Sequence, residues 1–105
     1  MITNHKLKSL VLSLLTKHPE LRDDDRRLCV NVWNCELKFR GRDGSSMSTF
    51  EFFEAFKQGI VSHAESIRRQ RQKLQELNKE LRGQRYQERH KKLEPEVREA
   101  VQLYI

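Results

Sequence analysis

Leu7, Leu10, Val11, Leu14 and Leu15 recur at i, i+3, i+4, i+7 and i+8, which places all five on one face of an α-helix. Most of the remaining chain repeats that period. Leu28, Val32, Cys35 and Phe39 follow it, widened by Cys29, Trp33 and Leu37. Ile67, Leu74 and Leu81 stand seven residues apart with Leu77 between them, and Val97, Ala100, Val101 and Tyr104 close the series. No run alternates strongly enough to read as a half-buried strand. A chain of 105 residues patterned in this way is expected to be all-α, a single compact five-helix domain over 1–105.

Local signals set the boundaries. His18-Pro19 ends the first helix, because the residue before proline is disfavoured in the α region. Asp23, Asp24 and Asp25 offer an N-cap and negative charge to the second helix. RGRDGSS (40–46) reads as a loop, with Asp43-Gly44 suited to a short hairpin turn. Ser48-x-x-Glu51 and Ser62-x-x-Glu65 are two capping boxes, and Gly59 between them fits the position just past a helix end. Asn78 or Gly83 stops the fourth helix. Residues 84–93 form a basic connector, and Pro95 suits the first turn of a last helix over 94–105. That helix would dock on the core or make a homodimer contact. Phe50, Phe52, Phe53 and Phe56 are expected in the core, with room for one at an interface.

The formal net charge is +6 and is unevenly spread. Residues 61–92 hold ten Lys/Arg against four glutamates, so this segment alone matches the whole excess. A localised basic segment is the footprint expected of a protein that meets nucleic acid or another polyanion. Enzymes are disfavoured, since no nucleophile–base set or shared carboxylate pair can be drawn. His5, His18, His63 and His90 lie far apart and none joins a CxxC, so no metal site and no cofactor is expected. Cys29 and Cys35 on one helix would stand roughly 9 Å apart, too far for a disulfide, and read as reduced thiols. No apolar run approaches membrane length and no signal-peptide core opens the chain, so the expected setting is cytoplasmic.

Residues 48–81 have the outline of a helix–turn–helix unit. Ala55 would allow a close helix crossing and Gly59 would make the turn, while Ala64 and Ile67 begin the apolar side of the second helix. On that expectation Ala64, Ile67, Leu74 and Leu77 face the core. Ser62, His63, Ser66, Arg69, Gln70 and Lys73 face a major groove, with Arg68 and Arg71 flanking. Arginine and glutamine read guanine and adenine edges, and serine donates to phosphate. Lys79, Arg82, Arg85 and Arg89 would add contacts to the phosphate backbone.

The stretches HPELRDDDRRL (18–28), VWNCEL (32–37), TFEFFEAF (49–56) and ESIRRQRQKLQELNKELRG (65–83) resemble small uncharacterised phage and prophage proteins. Those proteins share the S-I-R-R-x-R-x-K-x-Q helix followed by ELRG and look like helix–turn–helix modules. Lys79 departs from them, standing where proline is common. The resemblance implies a phage-infected or lysogenic bacterial cell as the setting. Two functions follow as expectations: a small DNA-binding protein acting on duplex DNA, or an inhibitor or adaptor whose basic helical surface meets an acidic surface of a host or defence protein.

Overall fold

The computed structural model describes residues 4–85. They form four α-helices and two short 3₁₀ segments: α1 (Asn4–Lys17), α2 (Asp25–Phe39), α3 (Thr49–Lys57) and α4 (Ala64–Leu77), with the 3₁₀ turns at Pro19–Asp23 and Lys79–Leu81. There is no strand among the described residues, so the all-α expectation holds there. The fifth helix expected over 94–105, and the connector beyond Arg85, lie outside the described residues.

Most boundaries follow from local chemistry. α1 stops at Lys17, one residue before His18-Pro19. The Pro19–Asp23 turn then buries Leu21 under α1. Asp24 caps α2 by accepting a hydrogen bond from the Arg27 amide at 3.1 Å. Ser48 caps α3 in the same way through the Glu51 amide, also at 3.1 Å. α3 ends in a Schellman motif: Gly59 adopts φ +74°, its amide donates to Phe56 O, and the Ile60 amide reaches back to Ala55 O at 3.0 Å. Gly41, at φ +69°, closes α2 by the same motif, with the Arg42 amide on Leu37 O. The Asp43-Gly44 dipeptide makes a turn without strands, held by Ser45, whose amide and hydroxyl both donate to the Asp43 carboxylate.

α4 departs from its expected start and takes the earlier of its two expected stops. The cap is His63, whose Nδ1 accepts from the Glu65 amide at 3.1 Å, so the second capping box does not form. The Ser62 hydroxyl is engaged elsewhere. The helix closes at Leu77, where the Asn78 amide bonds Leu74 O, and Gly83 is not its stop. Gly83 instead lies against the Asp23 carboxylate, and a Cβ there would overlap it.

Two apolar clusters hold these elements together. The larger joins Leu7, Val11, Leu14 and Leu15 of α1 with Leu21, with Leu28, Cys29 and Val32 of α2, with Ile67 and Leu74 of α4, and with Leu81. At roughly 1.5–3 kcal/mol for each fully buried aliphatic side chain, this α1/α2/α4 body is the main source of stability. The smaller cluster seats α3 on the far end of α2 through Leu37, Ala55 and Val61, with Trp33 touching both clusters. Ala55 therefore packs against α2, while Ile67 and Leu74 pack into the other cluster. The close α3–α4 crossing expected of a helix–turn–helix unit would need those residues to meet.

Candidate functional site

α3 is too short and too aromatic to bury all it carries. Phe52 turns inward and tilts against Trp33, with ring centroids 5.3 Å apart, and Ala55 is fully buried beside Leu37. The helical period then turns Phe50 and Phe53 away from α2 and leaves Phe56 at the edge, about 40° around from Phe52. Phe50, Phe53 and Phe56 are 72%, 58% and 39% exposed, which corrects their expected place in the core. Phe56 leans on the His63 ring at 5.8 Å, fixing one edge of this face. Beside Phe50 opens a groove of about 460 Å³, lined by Met47 and Ala55, by the carboxylates of Asp43, Glu51 and Glu54, and by Arg42.

A buried strap holds the α3–α4 connection in place. Glu36 is 1% exposed on α2, and its two carboxylate oxygens accept from the Ser62 amide at 2.8 Å and the Ser62 hydroxyl at 2.6 Å. Trp33 Nε1 donates to the Ser62 carbonyl at 2.7 Å. Every polar atom of Ser62 is thereby used, so Ser62 does not offer its hydroxyl to a ligand as the sequence suggested. His63 is exposed, but its Nδ1 is occupied as the cap.

The rest of the expected nucleic-acid set separates into inward and outward groups. Gln75 is fully buried, and its amide donates to Arg22 O at 2.9 Å and Leu81 O at 3.2 Å. Arg71 donates to Gln75 Oε1 at 2.8 Å. Its Nε also lies 2.6 Å from Asp25 Oδ1, close enough to pair by charge although not aligned as a hydrogen bond. Arg82 donates from Nε to the Gln75 carbonyl at 2.6 Å and from Nη2 to Glu76 O, capping the open end of α4. Arg71 and Arg82 thus tie α4 to its neighbours. Arg68 is held by Glu65, and that hydrogen bond is the main reason the Glu65 carboxyl sits below its usual range. Arg69 and Lys73 are exposed on the outward side of α4, where Ser66 and Gln70 are half-buried. Lys79 is exposed on the following turn, Arg85 stands at the acidic cluster of Glu20 and Asp23–Asp25, and Arg89 lies outside the described residues.

This turn of α4 also corrects its apolar side. Ile67 and Leu74 are buried as expected, but Ala64 is exposed and Leu77 is 75% exposed. Arg71, Gln75 and Asn78 take the inward positions instead. Sequence reasoning missed Gln75 and Glu36 because a polar residue within a helical stripe carries no mark of burial. The i, i+4 and i, i+8 spacing of Gln75 from Arg71 and Ile67 was the one available signal.

No group of three or more His, Cys, Asp or Glu residues placed to hold a metal occurs among the described residues. Both cysteines are free, and burial pushes the Cys29 thiol up, with Asp25 adding to it. No described helix is long and apolar enough to cross a membrane. In comparisons with known proteins, no family model, no curated protein and no solved structure matches the chain.

Proposed function

We propose that this chain is a non-catalytic binding protein that docks a partner protein on the aromatic face of α3, the inhibitor-or-adaptor function with its working surface moved. The observation that carries this reading is the exposure of Phe50, Phe53 and Phe56 on one side of a nine-residue helix. Three phenylalanines left in water on one short element form an apolar patch comparable to the largest on an ordinary monomer, a kind that is often functional. The strap from Glu36 and Trp33 to Ser62 anchors the connection that follows that element, which favours a preformed surface over one ordered on binding. A bacterial host protein is the partner class that the resemblance to phage proteins suggests.

The reading is tested by capture from host lysate after nuclease treatment, comparing the parent with Phe53→Ser. A bound protein that survives nuclease and is lost from Phe53→Ser supports it. Binding that nuclease abolishes, or that Phe53→Ser leaves intact, overturns it.

A second reading, duplex DNA on α4 in the manner of a helix–turn–helix protein, is favoured by one observation. Arg69 and Lys73 are exposed there, with Ser66 and Gln70 beside them. Glu65, Glu76 and Glu80 share the helix and its following turn and weaken its field, and Arg71 and Arg82 are spent on internal contacts. Gel shifts at low salt with Arg69→Ala and Lys73→Ala decide this case: both variants should bind duplex DNA more weakly, and unchanged binding rejects it.

A further inference from the structure

Resting on the reading of α3 as a docking surface, we infer that the segment it takes from its partner is an amphipathic helix carrying Lys or Arg beside its apolar face. Size gives the first argument. A fully buried phenylalanine removes roughly 150–250 Å² from water, so the exposed fractions of Phe50, Phe53 and Phe56 leave about 250–420 Å² of apolar surface. A stable interface between two domains needs about 800 Å² on each side. The face is therefore small for a second copy of the whole chain and suited to one helix laid across it, anchored at a few positions.

Charge gives the second argument. The groove beside Phe50 is walled by the carboxylates of Asp43, Glu51 and Glu54 against the single guanidinium of Arg42. Lys57 already pairs with Glu54 at 2.9 Å, whereas Glu51 has no ion-pair partner among the described residues. Asp43 is kept ionised by the hydroxyl and amide of Ser45, which lower its carboxyl below the usual range. An apolar partner closing over this groove would strip water from carboxylates without replacing it, a cost that a cation on the partner offsets most directly. The chain's own cations here, Arg42 in the lining and Lys57 on Glu54, number fewer than the three carboxylates. A cation on the occupant completes the balance.

The test uses two synthetic amphipathic helical peptides of equal length with the same leucine face, one with lysine and one with glutamate at the polar positions. Each is titrated into the full chain while backbone amide shifts are followed by NMR. The lysine peptide should shift the amides of Phe50, Glu51, Phe53 and Phe56 and bind about tenfold more tightly than the glutamate peptide, a difference of about 1.4 kcal/mol. The paired change Glu51→Gln with Glu54→Gln should remove that preference, and Phe53→Ala, checked for an unchanged melting temperature, should weaken both peptides. Equal affinity of the two peptides at α3 overturns the basic-partner inference and leaves the docking reading standing. Shifts confined to Glu20 and Asp23–Asp25 also overturn it, since they show only attraction between opposite charges. Self-association of the chain that Phe53→Ala abolishes assigns the face to a second copy and overturns it too. No binding of either peptide at α3 counts against the docking reading itself.

Discussion

Ser62 gives Glu36 both its amide and its hydroxyl, at 2.8 and 2.6 Å, so a buried carboxylate on α2 is satisfied by one residue just ahead of α4. Ser62→Ala should remove one of these bonds and leave Glu36 partly unsatisfied in the core, at a loss of about 1–3 kcal/mol by urea denaturation. Glu36→Ala should lose a similar amount, and the double variant should lose less than the two together, because neither partner is then left buried alone. Additive losses would show that the two residues do not act as a pair.

Gln75 makes the corresponding claim for α4. Its side chain bonds Arg22 O and Leu81 O and accepts from Arg71, so Gln75→Ala should cost about 2–3 kcal/mol. Leu77→Gln should fall within about 0.5 kcal/mol of the parent because Leu77 faces water. Denaturant midpoints check both, and the opposite order would mean that α4 is turned the other way.

The basic residues of α4 should divide in the same manner. Arg71→Ala, which frees Asp25 and the Gln75 side-chain oxygen Oε1, is expected to lower stability by about 1–2 kcal/mol. Arg69→Ala and Lys73→Ala should leave the melting temperature unchanged within error, since exposed charges contribute little. Thermal unfolding of the three variants side by side is the measurement.

Much of this architecture was legible in the sequence. The α1 stripe, the Asp24 and Ser48 caps, the Gly59 turn and the end of α1 before Pro19 depend on contacts within a few residues, where local chemistry decides. The rotation of α4 depends on contacts across about fifty residues, between Gln75 and Arg22 and between Arg71 and Asp25. Leu77 looked like a better core residue than Gln75 because hydropathy records transfer energy and not the availability of partners. The α3 phenylalanines misled in the opposite sense. The four rings fan over an arc of about 160° around the helix. α2 offers α3 only one side to lie on, so the rings toward the far end of that arc stay in water.

Two exposed carboxyls should each add a small contribution to stability that acid removes. Glu65 is held below its ordinary range mainly by the hydrogen bond from Arg68, and Asp43 mainly by the Ser45 hydroxyl. Each binds its proton less readily in the folded chain than in the unfolded one. Their contribution is therefore complete above the ordinary carboxyl range, about pH 4–4.5, and is lost as pH falls through the lowered native values. NMR titration of the side-chain carboxyls should show both midpoints depressed. Arg68→Ala should return Glu65 toward its ordinary value and leave Asp43 where it was. A Glu65 midpoint indifferent to Arg68→Ala would exclude the assigned cause.

Phe53 is 58% exposed and its ring only flanks Phe52 at 6.5 Å, while Phe52, one residue earlier, is packed against Trp33. Equilibrium unfolding of Phe53→Ala and Phe52→Ala tests this most directly. The expected result is a change within about 0.5 kcal/mol for Phe53→Ala and a loss of about 2–3 kcal/mol for the half-buried Phe52→Ala. A loss of about 3 kcal/mol or more in Phe53→Ala would place that ring in a core and contradict the docking surface.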